Sequence, residues 1–167
     1  MWSVFVVVSL LVPGQLAAPP GCLRPPVSAP VIDPFRDPAC EWCPGNRGLQ
    51  YGGQAGTVVR AAAAGTVSFS GVVAGTRYVV VEHVIGGLRA TYGGLSATAL
   101  RVGDVVAAGS TVGLTGGAGL YFGLRRGDVY IDPAPLLGRF VERPRLVPTD
   151  GTARRAAPSP MLRCAAG

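Results

Sequence analysis

The feature that most limits what this chain can fold into is a series of short, valine-rich segments in which apolar and polar residues alternate and glycines break the chain into turns. They run at Thr57 to Arg60, Thr66 to Val73, Arg77 to His83, Leu88 to Tyr92, Val105 to Val106, Thr111 to Thr115, Leu120 to Arg125 and Val129 to Ile131. A period of two places every second side chain on one face of an extended strand, and segments this brief leave no room for an amphipathic helix. Only Ala134 to Arg139, opened by Pro133 and closed near Gly138, predicts a helical turn. The 25 glycines and 15 prolines supply the many turns that short strands need. The expected fold is therefore mainly β, a small antiparallel β-sheet of barrel-sandwich type. Its core of about 90–100 residues is large enough to fold alone.

The flanks have a different composition. Trp2 to Val12 is an apolar run of signal-peptide length, too short to span a bilayer, and Leu16-Ala17-Ala18 offers a small-residue cleavage site. Residues 1–18 are expected to be a signal peptide, leaving an exported chain with no transmembrane helix in its mature form. Residues 19–45 are dense in proline and read as an extended linker carrying the pair Cys40 and Cys43. In an exported chain the four cysteines, Cys22, Cys40, Cys43 and Cys164, favour disulfides. Cys40 and Cys43 are candidates for a local bridge. All 15 basic residues are arginine, and from Arg139 onward six arginines face only Glu142 and Asp150, so four of the six excess charges lie at this end. Residues 139–167 are accordingly expected to form a basic, proline-rich, disordered tail. The β segments carry no clustered basic face, which argues against nucleic acid as a partner.

Between the flanks, three short motifs stand in a fixed order: Asn46-Arg47-Gly48-Leu49-Gln50, Thr91-Tyr92-Gly93-Gly94-Leu95, and Gly119-Leu120-Tyr121-Phe122-Gly123-Leu124. Around them lie Gly65-Thr66-Val67, Val102-Gly103-Asp104-Val105-Val106, Gly109, Val112-Gly113 and Tyr130-Ile131-Asp132-Pro133. This frame resembles the lysostaphin-like or LytM-like (M23-type) zinc metallopeptidases, which cleave peptidoglycan cross-bridges, and in particular their shorter actinobacterial members. A chain rich in alanine, arginine and proline but free of lysine fits that source. The resemblance implies residues 46–138 as the β domain, with the duplicated hybrid motif of that family. Its metal motif H-R-G-x-D is matched by Asn46 to Gln50, so both of its ligand slots are changed. Its T-Y-x-H-L signature places Gly94 in a catalytic histidine slot. Its H-L-H-F or C-L-H-W-G-L signature places Gly119 and Tyr121 in a catalytic slot and a ligand slot.

These substitutions decide the chemistry that the resemblance implies. A catalytic zinc takes about three nitrogen or carboxylate ligands and keeps one position open for water. Asn46 and Gln50 offer neutral amide oxygens, and Tyr121 offers a phenol that ordinarily ionises near pH 10. Glycine at positions 94 and 119 provides no side chain to move a proton or stabilise an oxyanion. The expectation is a non-catalytic domain without cofactor. Its groove would be lined by Asn46, Arg47, Gln50, Tyr92 and Tyr121, widened at Gly94 and Gly119, and would accept peptidoglycan peptides or dock a partner cell-wall hydrolase. Two alternatives are an active endopeptidase with a non-standard metal site and a structural domain with no retained site function.

Other chemistries lack their residues. Segments Arg60 to Val67 and Val102 to Gly109 also resemble biotinyl and lipoyl carrier domains, but a carrier needs a lysine and the chain has none. His83, the single histidine, ends a predicted strand and reads as a structural hydrogen-bonding group; Glu82 faces the other way. Ser68, Ser70, Ser96 and Ser110 sit in no nucleophile-elbow sequence. Asp132 is expected to cap a turn.

Overall fold

The structure is a computed structural model that describes residues 22–40, 42–84, 86–144 and 156–164. The expected signal peptide lies outside these residues. The described chain forms β1 (Val31–Asp33), β2 (Leu49–Tyr51), β3 (Val58–Arg60), β4 (Gly65–Val73), β5 (Thr76–His83), β6 (Leu88–Ala97), β7 (Val105–Val106), β8 (Thr111–Thr115), β9 (Leu120–Arg126), β10 (Val129–Ile131), a 3-10 turn at Ala134–Leu136, β11 (Arg139–Val141) and β12 (Met161–Arg163). The main sheet runs in the order β1-β2-β9-β6-β5-β4-β7, with β10 added to β9 and β8 joining β3 to β6. All its strand pairs are antiparallel.

Strand alternation builds the core. Val79 and Val81 of β5, Ala90 and Tyr92 of β6, and Leu120, Phe122 and Leu124 of β9 are all fully buried on the same side of the sheet. The rings of Tyr92 and Phe122 meet at 5.3 Å, and the Tyr92 hydroxyl accepts the Ala62 N–H at 2.8 Å. Burying one such ring removes enough apolar surface to be worth about 2–3 kcal/mol. The two segments with hybrid-motif character meet edge to edge, Gly65 pairing with Val106 and Thr66 with Val105. Strand β6 continues past the expected Tyr92 to Ala97, because Gly94 at φ +80° forms a bulge between the Tyr78–Gly93 and Arg77–Leu95 pairs.

Two expectations for the flanks are corrected. The proline-rich stretch of 19–45 is part of the folded body over its described residues: Leu23 and Val27 are buried in the core, and β1 pairs with β2. Proline lacks an N–H but keeps its carbonyl. Pro26 accepts from Arg60 N at 2.8 Å and Pro30 from Gly52 N at 3.0 Å, so the prolines line a strand edge where only acceptors are needed. The basic tail is ordered where it is described. Strands β11 and β12 pair, and a disulfide joins Cys164 to Cys22 across 142 residues, so the tail is tied to the start of the described chain. The second disulfide joins Cys40 and Cys43.

Candidate functional site

The sheet face opposite the core carries three cross-strand rows. Register places Gln50 beside Tyr121, Tyr121 beside Gly93, and Gly93 beside Tyr78. The next row is Gly123, Thr91 and Val80, and the third is Tyr130, Arg125, Arg89 and Glu82. Parity alone therefore brings two of the three predicted ligand slots, Gln50 and Tyr121, together on one face.

Tyr121 is held there by its own contacts. Its ring lies across two glycines: a Cβ at Gly48 would approach a ring carbon to 2.7 Å, and one at Gly123 would approach the hydroxyl to 2.6 Å. The hydroxyl donates to the Arg47 carbonyl at 3.0 Å. Burial, reinforced by the neighbouring Tyr130 and Tyr78 phenols and opposed by Arg47 and Arg125, pushes its pKa up to about 12. Asn46 is also occupied. Its side-chain amide donates to the carbonyls of Asp33 at 3.2 Å and Pro34 at 3.0 Å, and its backbone pairs with Arg36, so it fastens the β1 segment to the sheet.

Three expected groove features are corrected. Tyr92 is not in the groove: it has the same parity as Ala90, and its side chain fills the core. Gly94 and Gly119 do not widen the cleft. A Cβ at Gly94 would come within 2.9 Å of the Gly119 carbonyl oxygen, and one at Gly119, at φ +81°, within 2.1 Å of the Tyr51 carbonyl oxygen. Backbone crosses closely at both points, so glycine is what the local geometry admits.

The rest of the face consists of residues that the motif-based reading passed over. Arg125 stacks over the Tyr130 ring at 4.8 Å, and Arg47 lies over the same ring at 5.7 Å. A recess of about 670 Å³ is lined by Trp42, Arg47, Arg125, Asp128 and Tyr130 among others. A second, of about 380 Å³, shares Arg125 and Tyr130 and extends over Thr91, Arg89 and Glu82. The signal for these residues was present in the sequence, since Arg125 has the same strand parity as Tyr121.

His83 is 5% exposed, and its Nδ1 lies 3.2 Å from the Ala64 carbonyl oxygen. A carbonyl only accepts, so Nδ1 carries the proton in this bond, and burial holds the imidazole pKa below its usual value. Glu82 faces the opposite side and pairs with Arg89 at 3.1 Å. Asp132 accepts the Ala134 N–H at 2.9 Å and so caps its turn. Among the serines, Ser70, Ser96 and Ser110 all donate to backbone carbonyls.

The family model described as Peptidase family M23 matches residues 44–133, more than half of the chain. The chain belongs to peptidase family M23. A Mycobacterium tuberculosis protein described as uncharacterized is 32% identical over 160 residues, covering 87% of this chain and 63% of the relative. The chain thus spans less than two thirds of that relative's length. The murein hydrolase activator EnvC of Escherichia coli is 33% identical over 136 residues, covering 75% of this chain and 31% of EnvC. Among solved structures, Helicobacter pylori Csd3 superposes with a TM-score of 0.61 at 30% identity, covering 70% of this chain and 33% of Csd3.

Within this M23 domain the residues at the ligand positions do not fit a zinc ion. Asn46 spends its amide N–H groups on backbone carbonyls, Tyr121 keeps its proton at neutral pH, and Gln50 offers only a neutral amide. Among the described residues, no three His, Cys, Asp or Glu side chains come together as a metal-binding group. The metal-ligand motifs are lost, and the domain is a degenerate member of its family.

Proposed function

We propose that this M23 domain is a non-catalytic module of the cell envelope, exported by residues 1–18, whose metal-free cleft binds peptidoglycan peptides. The observation that carries this reading is Tyr121. The residue in the final ligand slot is a protonated phenol packed over two glycines and bonded to the carbonyl of Arg47, a residue that itself lines the open recess with Trp42, Arg125 and Tyr130. A second reading, regulation of a partner cell-wall hydrolase through the same cleft, is favoured by the similarity to EnvC, a murein hydrolase activator. The test is co-sedimentation of the purified chain with peptidoglycan sacculi, run beside release of soluble peptides and metal analysis. Sedimentation without peptide release and without stoichiometric zinc is the expected result. Chelator-sensitive cleavage would establish the competing endopeptidase reading, and failure to sediment would leave hydrolase docking to be tested by activation of a purified amidase.

A further inference from the structure

Beyond residues 44–133, which carry the family match, the ribbon β11–β12 forms a second small sheet whose two faces differ. Register sets Arg139 opposite Arg163, Phe140 opposite Leu162 and Val141 opposite Met161. One face packs on the body: the Arg24 guanidinium lies over the Phe140 ring at 5.2 Å, and a Cβ at Gly138 would come within 2.9 Å of a Leu162 methyl. By strand alternation the other face carries two cross-strand pairs, Arg139 with Arg163 and Val141 with Met161, and all four residues are exposed. Like charges set directly opposite repel, and exposed valine and methionine leave apolar surface in water, so this face is unfavourable in the free chain. The ribbon is nevertheless fastened. Cys164, next to Arg163, is bonded to Cys22, and Leu23 bridges to Leu137.

The body adds to the charge. Arg60 and Arg139 line a recess of about 740 Å³ with Phe140, Val58 and several prolines, and no acidic residue lines it. The guanidiniums of Arg24 and Arg60 reach the same loop, donating to the carbonyls of Ala108 at 3.3 Å and Gly109 at 3.2 Å. Ion pairs among the described residues lie elsewhere, at Asp33–Arg36, Glu82–Arg89 and Asp128–Arg125. Arg24, Arg60, Arg139 and Arg163 therefore have no carboxylate partner among the described residues, and from residue 139 onward the described arginines, Arg139, Arg143 and Arg163, are opposed by Glu142 alone. Guanidiniums in excess, each with several N–H donors, suit phosphate oxygens. A soluble phosphate polymer would satisfy the arginines but leave Val141 and Met161 in water. A bilayer surface takes both, because its phosphates lie at the boundary where short apolar side chains bury.

We infer that the exposed face of the β11–β12 ribbon, with Arg60 beside it, docks the domain on a bilayer surface rich in anionic phospholipid. Arg139 and Arg163 meet lipid phosphates, and Val141 and Met161 enter the interfacial layer. This docking does not depend on what the M23 cleft binds, and its failure would leave that reading untouched.

The test is flotation of the purified chain with phosphatidylcholine vesicles made with and without phosphatidylglycerol, every variant having the same length. Binding is expected only with phosphatidylglycerol, and it weakens as salt is raised. An arginine near an anionic surface is worth roughly a factor of five in affinity, so Arg139→Gln with Arg163→Gln weakens binding roughly 30-fold. Val141→Ser with Met161→Ser weakens it roughly tenfold by removing apolar burial. Arg101→Gln with Arg126→Gln removes the same charge from exposed positions on the main domain and changes binding less than about threefold. Near-UV circular dichroism of each variant separates lost docking from lost folding. Equal binding to both vesicle types, or to neither, overturns the inference. An equal loss in the Arg101 and Arg126 variant also overturns it, because net charge alone would then account for the attraction. Unchanged binding in the Val141 and Met161 variant, or complete displacement by tripolyphosphate at the phosphate concentration of the vesicles, refutes the bilayer as the occupant.

Discussion

The two disulfides differ so much in the chain they close that removing each in turn tests whether the tail is tied down. Cys22–Cys164 closes a loop of 142 residues and Cys40–Cys43 one of 3. In the chain-entropy account, cross-linking stabilises by restricting the unfolded chain, and the effect grows with the logarithm of loop length. This gives about 5 kcal/mol for the long loop and about 1.6 kcal/mol for the short one at 25 °C. The first figure is comparable to the whole stability of a small domain, so Cys22→Ser with Cys164→Ser should lower the melting temperature by roughly 15 °C, and Cys40→Ser with Cys43→Ser by roughly 5 °C. Opening the long loop should also free β11 and β12, exposing their amides to hydrogen exchange while β5, β6 and β9 stay protected. The measurements are calorimetric melting of both double variants and exchange followed by mass spectrometry. Equal losses for the two pairs, or no change in exchange at Arg139–Val141, would refute both the tether and the loop-length reasoning.

Gly119→Ala should destabilise by about 3 kcal/mol or more in chemical denaturation, because it combines a left-handed backbone with a Cβ 2.1 Å from the Tyr51 carbonyl oxygen; a change below about 1 kcal/mol would contradict that geometry. Tyr51 and Tyr121 are both pushed up to about 12 by burial, and Tyr92 higher still. Their folded values exceed the unfolded value of 10.0, so the stability they contribute is complete below pH 10 and should fall as pH rises toward 12, with a slope that Tyr121→Phe reduces. His83 is shifted the other way, below its model-compound value of 6.5. It therefore favours the folded state fully above that value, and stability should decline as pH falls through the acidic range below it. His83→Gln should flatten this decline, measured by urea midpoints at pH 7 and pH 5.

Strand parity and motif order were the legible part of this chain. Alternation located most of the main sheet, because a strand's side-chain period does not depend on its partners, and the three motifs located the ligand slots and showed what had replaced the donors. The same parity would have moved Tyr92 from the groove to the core, since it alternates with Thr91 and Gly93. The motif frame obscured this by treating Tyr92 as part of a signature.

Residues distant in sequence came together only in three dimensions. The pairing of Cys22 with Cys164, and the use of Pro26 and Pro30 carbonyls at the sheet edge, bring together segments whose composition alone reads as linker and tail. The stack of Arg47 and Arg125 on Tyr130 joins a loop before β2 to strands β9 and β10. From its own residues the sequence determined a β fold in the frame of a peptidase without that peptidase's metal donors, because strand period and ligand chemistry are properties of individual side chains. Tertiary structure decided which residues meet on the exposed face of the sheet, because packing and long-range pairing fix which arginines and tyrosines share it.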